Sequence, residues 1–220
     1  MFPVTFIRWL YIKAVPLRIK RSYKRMQMKL RPRPMMSNQE IQILDSILSS
    51  PFVHSVLEIG SGGSTLFYPT RHPVEWHSVE FNPSWYRDIQ KLAPNNVHLY
   101  LLEDIPAFIA KFSPRAEEFQ VVLIDGPADN REQVIESVRG WGTDAIVLLH
   151  DSRRRVYEDA LSRYFRCVNL TAGEFARPDG GCKGRGLSLL MSAPPRSERA
   201  DPARPLVFRN IDEPRADLIV

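Results

Sequence analysis

The richest chemistry in this chain lies in Val56-Leu57-Glu58-Ile59-Gly60-Ser61-Gly62-Gly63-Ser64-Thr65. An apolar run closes on a glycine-rich turn, and an acid, Glu58, stands two residues before the first glycine. Gly60 and Gly62 let the backbone turn sharply and approach a ligand with no Cβ in between. A helix that starts there points free N–H groups at the ligand, so the pattern predicts a nucleotide-like cofactor. Further acids follow at Glu80, Asp104, Asp125 and Asp151, with His150 beside the last. Asp125 and Asp151 together are candidates to hold one Mg²⁺, whose charge lowers the pKa of a bound hydroxyl. His150 offers a metal-free route as general base, because an imidazole titrates near neutrality. Each acid also has an ordinary use as a helix cap or solvated strand end, and a histidine that ends a strand is as often structural.

Alternating elements must position these groups. Arg31-Pro32-Arg33-Pro34 cannot be helical and marks a boundary. Ser37-Asn38-Gln39-Glu40 has the form of a capping box, and Ile41, Leu44, Ile47 and Leu48 follow at helical spacing. Strands are predicted over 55–59, 75–81, 97–102, 119–124, 145–149, 166–170 and 186–191. Helices are predicted over 64–70, 84–92, 105–112, 131–139 and 154–164. The continuous apolar run 119–124 suits a strand buried on both faces. The alternation predicts an α/β fold: a doubly wound, Rossmann-like, mostly parallel seven-stranded sheet with helices on both faces. Ligands on such sheets sit beyond the carboxyl ends of the strands, where Glu58–Ser64, Glu80, Asp104, Asp125, His150 and Asp151 all fall.

The charge is uneven. The first 36 residues carry ten Lys or Arg and no acid, whereas the remaining 184 carry 20 basic and 25 acidic side chains. A net charge of +5 therefore conceals a basic arm on a mildly acidic body, which argues against a body-wide nucleic-acid surface. Three domains of organisation follow: an apolar and basic arm over 1–36, a ligand-binding body over 37–193, and a Pro-rich tail over 194–220. The arm mixes Phe2, Phe6, Trp9 and Tyr11 with cations, and its uncharged runs are too short to span a bilayer. Three readings of it stand: contact with an anionic membrane surface through residues 1–34, RNA binding, or an extension that packs on the body. Cys167 and Cys182 lack C-x-x-C spacing, and a reducing, cytoplasmic compartment suits them.

The stations resemble those of class I S-adenosylmethionine-dependent methyltransferases. Glu58, Gly60 and Gly62 match the family's motif Glu/Asp-x-Gly-x-Gly-x-Gly, and Ser64 replaces the last glycine. The resemblance covers about residues 37–192. It implies that Gly60, Ser61, Gly62, Gly63 and Ser64 line the cofactor and that Glu58 holds its amino end, directly or through water. It further implies that Glu80 binds both ribose hydroxyls and that Asp104, or its neighbour Glu103, meets the adenine. Two carboxylate oxygens suit a diol. Asp125 then stands between cofactor and acceptor. A dinucleotide fold also tolerates the Gly60-to-Glu80 spacing, but its third glycine would fall on Thr65, and Glu58 occupies a normally apolar position.

Ile124-Asp125-Gly126-Pro127 differs from the Asn/Asp-Pro-Pro-Tyr/Phe of enzymes that methylate base amines, and its acid suits O-methyl transfer better. With Asp125, His150 and Asp151 as catalytic candidates, the stretch from Thr143 to Asp151 is similar to glucuronoxylan 4-O-methyltransferase-like proteins. That likeness implies a sugar or polysaccharide hydroxyl, or another small molecule, as acceptor. Arg153, Arg154 and Arg155 then either meet acidic sugar groups or form a solvated helix start. Gly180–Gly186 is either a loop over the substrate or a plain connection. Other classes stay open: an RNA methyltransferase steered by the arm, a non-catalytic membrane-associated module of the same fold, and a nicotinamide-dependent oxidoreductase.

Overall fold

A computed structural model describes residues 32–126, 128–171 and 186–192, with only the backbone described for 128–130. Most of the arm, the Pro-rich tail and nearly all of Gly180–Gly186 lie outside the described residues. The elements run α1 (Asn38–Leu48), β1 (Ser55–Ile59), α2 (Gly63–Phe67), β2 (Glu75–Glu80), α3 (Pro83–Gln90), β3 (Val97–Leu101) and α4 (Ile105–Phe112). After a 3₁₀ turn at Ser113–Glu118 come β4 (Val121–Ile124), α5 (Ala128–Arg139) and β5 (Ile146–His150). A second 3₁₀ turn (Arg155–Tyr157) leads to α6 (Glu158–Ser162), β6 (Arg166–Asn169) and β7 (Leu187–Met191).

The seven strands form one sheet in the order β3-β2-β1-β4-β5-β7-β6. The first five are parallel, and β7 runs antiparallel to both β5 and β6. The order reverses between β1 and β4, so the crevice for a ligand opens beyond Ile59 and Ile124. This is the expected doubly wound fold.

Two apolar layers flank the sheet. Leu57, Ile59, Val122, Ile124, Val147 and Leu149 pack with Phe108, Phe112, Ile135 and Val138 of α4 and α5. Val56, Val121, Leu123 and Leu148 pack on the other face with Leu44 and Leu48 of α1, together with Tyr68 and Trp76. Side chains alternate along a strand. The parity that puts Val56, Trp76, Leu123 and Leu148 on the α1 face therefore also puts Glu58, Ser78, Glu80, Asp125 and His150 there.

Strand ends lie within two residues of expectation, and three helices differ in form or start. The helix after the glycine turn is short, because Pro69 has no N–H to continue it. The helix expected over 154–164 divides into the 3₁₀ turn and α6, with Tyr157 N–H donating to Arg154 O at 2.9 Å. Helix α5 begins at Ala128, three residues earlier than expected.

Candidate functional site

The glycine turn is built by close backbone approach. Gly60 has φ +103°, and a Cβ there would lie 2.4 Å from Gly126 Cα. A Cβ on Gly63 would lie 2.1 Å from the carbonyl oxygen of Arg33. Both positions are filled by protein, so glycine is required by packing. Gly62 is different: a Cβ on it would meet nothing within 4 Å. The turn therefore presses the chain together on both sides and leaves an opening in the middle.

Glu58 braces that turn from within. It is fully buried, and its carboxylate accepts from Thr65 Oγ1 at 2.6 Å, Ser78 Oγ at 2.7 Å, Trp76 Nε1 at 2.9 Å and Ser64 Oγ. Burial pushes its pKa up, and the four hydrogen bonds oppose that. The sequence expectation had Glu58 holding the cofactor's amino end, directly or through water; in the structure its carboxylate accepts from four protein donors. Thr65 Oγ1 also accepts the Gly62 N–H at 2.8 Å, and Ser61 Oγ bonds Ser78 Oγ at 2.8 Å. The Trp85 indole closes the outside of the turn by donating to Ser61 O at 2.7 Å.

Glu80 ends β2 beside this turn. It is 4% exposed, and Oε1 accepts the N–H groups of Phe81 at 2.9 Å and Asn82 at 2.8 Å. Burial raises its pKa, while these bonds and one from the Ser61 backbone pull it down. Asp104 stands apart from these groups in character. It is exposed and caps α4, accepting Ala107 N–H at 2.9 Å, and Glu103 is exposed as well.

The second cluster sits at the ends of β4 and β5. His150 Nδ1–H donates to Asp125 Oδ1 at 2.7 Å, and Glu40 of α1 faces Nε2 with an oxygen at 3.8 Å. Arg131, 4% exposed, donates to Gly126 O and to His150 O (2.7 Å) and stands 3.5 Å from Asp125 Oδ1. Burial works against a charged His150, but the Asp125 hydrogen bond and the charges of Asp125, Asp151 and Glu40 outweigh it, so its pKa is raised. Asp151 adopts φ 56°, the left-handed region, and pairs with Arg154. Aspartate is among the few non-glycine side chains that enter this region readily.

The expected Mg²⁺ pair is not formed by these contacts. Asp125 is engaged by His150 and Arg131, and Asp151 by Arg154, so a guanidinium already answers each carboxylate. Among the described residues no three His, Cys, Asp or Glu side chains gather as a metal would require. A hard cation takes about six oxygen ligands, and this donor set does not fit one. Arg153 donates to Thr171 O at 3.0 Å, which leaves Arg155 as the exposed member of the arginine run. Sequence reasoning missed Arg131 and read Glu40 only as a cap. Their partners are carbonyls and a ring brought close by the fold, which no local pattern records.

No protein-family model and no curated protein matches this chain. Solved structures do match. A methyltransferase-like protein from Silicibacter pomeroyi superposes with a TM-score of 0.51 at 18% identity, over 73% of this chain and 89% of that one. Cofactor-bound Rv0187 from MTB superposes with a TM-score of 0.52 at 14% identity, over 87% of this chain and 98% of that one. The chain has the Rossmann-like fold of these proteins. No helix among the described residues is long and apolar enough to cross a membrane.

Proposed function

We propose that this protein is an S-adenosylmethionine-dependent O-methyltransferase. The observation that carries the reading is the opening at Gly62, bounded by two glycines that packing requires and flanked by the buried carboxylate of Glu80. Glu80 Oε1 is occupied by two backbone N–H groups, which fix the carboxylate for a ribose diol. The turn Gly60–Ser64 takes the amino-acid half of the cofactor, with Glu58 setting its shape, and the exposed Asp104 lies toward the adenine end. When bound, S-adenosylmethionine supplies an electrophilic sulfonium methyl group.

The acceptor is a hydroxyl, and the resemblance at the β4 and β5 ends favours a sugar or polysaccharide. Asp125 holds Nδ1–H of His150 and so fixes the tautomer whose Nε2 removes the hydroxyl proton. Asp151, held by Arg154, shapes the same rim. Arg155 is free to meet an acidic group on the sugar. The basic, aromatic residues 1–31 are proposed to rest on an anionic membrane surface from the cytoplasmic side.

A coupled assay for S-adenosylhomocysteine, run with a panel of sugar acids, polysaccharides, catechols and RNA, tests this. Turnover with a hydroxyl acceptor and its fall by about a hundredfold in His150→Asn support the reading. Turnover on RNA alone would overturn the acceptor class.

A further inference from the structure

We propose that Glu40 is a positioning residue for His150, clamping the imidazole from the Nε2 side while Asp125 holds Nδ1. The proposal rests on the reading of His150 as the acceptor-side base. Glu40 belongs to α1, which precedes the first strand, and lies 110 positions before His150 in the chain. Both are buried, at 5% and 7% exposure.

The Glu40 carboxylate meets three elements at once. One oxygen accepts Ser37 N–H at 2.7 Å, which completes the capping box, and the same oxygen stands 3.8 Å from His150 Nε2. Its other oxygen accepts from Thr171 Oγ1 at 3.5 Å, and that hydroxyl in turn accepts Leu187 N–H at 2.9 Å. A capping-box glutamate ordinarily needs only its own helix, at the surface. Here the cap is carried inward, because Pro34 and Glu40 are buried and the Arg33 carbonyl lies against Gly63. The segment that starts α1 is thus wedged between the glycine turn and the end of β5.

The separation of 3.8 Å is too long for a hydrogen bond and suits a charge that orients the ring without occupying Nε2. An acceptor hydroxyl on Nε2 would then lie to one side of the line from imidazole to carboxylate, within reach of both. The charged groups facing His150 are Asp125 after β4, Asp151 after β5, Glu40 on α1 and Arg131 on α5. Of these, Glu40 faces Nε2.

The test compares Glu40→Gln with Ser37→Ala in the full chain. Glutamine keeps an oxygen for the Ser37 N–H and removes the charge. Ser37→Ala weakens the cap and leaves Glu40 in place. Nitrogen-15 histidine NMR follows the His150 ring as pH is varied, and calorimetry measures S-adenosylmethionine affinity. Glu40→Gln is expected to shift the His150 ring signals and lower its titration midpoint by about half a unit or more. S-adenosylmethionine affinity should stay within about twofold of the starting protein. Ser37→Ala is expected to lower the melting temperature with the His150 midpoint unchanged. An unmoved His150 in Glu40→Gln, or an equal shift in Ser37→Ala, would overturn the proposal. If Glu40→Gln does not fold, Glu40→Asp serves, since its shorter reach should also lower the midpoint, and an unmoved midpoint there counts against the proposal. Failure of the starting protein to bind S-adenosylmethionine would refute the methyltransferase reading alone, because the NMR comparison needs no cofactor.

Discussion

Gly62 and Gly60 look alike in sequence and should behave oppositely on substitution. Gly62→Val places a side chain in open space. Its melting temperature should change little while S-adenosylmethionine affinity falls by about tenfold or more in calorimetry. Gly60→Ala forces a Cβ into Gly126 at positive φ, and chemical denaturation should show a loss of about 2 kcal/mol or more. Glu58→Ala leaves the buried Trp76 indole and three hydroxyls without their acceptor, so a loss of about 3 kcal/mol is expected by the same measurement. Glu58 also marks how far sequence reads a residue. Its place before the glycines was legible. That its carboxylate faces donors up to 20 positions away depends on β2 pairing with β1. His150 carries a pH signature of its own. Its folded pKa lies above the ordinary value of 6.5, so its contribution to stability is complete below that value and is lost as pH rises through the folded pKa. Turnover, which needs the neutral ring, should instead rise with pH, with a midpoint above 6.5 in a pH–rate profile.

Strands β4 and β5 were legible because burial on both faces leaves continuous apolar runs, and β1 and β2 begin where their patterns begin. Helix α1 announced itself through Ser37 and Glu40, and its capping box is present. The helix expected after β5 is present, with a tighter 3₁₀ first turn at Arg155–Tyr157 running directly into α6. No local pattern encodes that turn. The edge pair β2 and β3 supplies a prediction with the opposite pH sign. His77 stacks on His98 with centroids 4.7 Å apart and bonds Tyr100 OH at 3.0 Å. Burial first, and then the charges of His98 and Arg115, lower its pKa to about 4. Unfolding frees it to take a proton, so stability is full above 6.5 and declines as pH falls toward 4. Thermal melts across that range should fall more steeply for the starting protein than for His77→Gln.

Taken together, the described residues form a mostly parallel sheet whose reversal point faces a glycine turn on one side and a histidine–carboxylate cluster on the other. Helix α1 spans the two, through Arg33 at Gly63 and Glu40 at His150. The fold was legible in the sequence as a whole, because strand–helix alternation admits few topologies. The antiparallel seating of β7 between β5 and β6 is set by tertiary pairing, which alternation does not specify. Removing residues 1–31 should leave cofactor affinity unchanged and abolish binding to vesicles rich in anionic lipid, as flotation would measure. We propose that the crevice above β1, β2 and β4 binds S-adenosylmethionine through Gly62 and Glu80, and isothermal titration calorimetry with S-adenosylmethionine and with NAD⁺ tests this. The starting protein should bind S-adenosylmethionine and ignore NAD⁺, and Glu80→Ala should weaken binding by about tenfold or more. No heat with S-adenosylmethionine, or binding indifferent to Glu80→Ala, would contradict it.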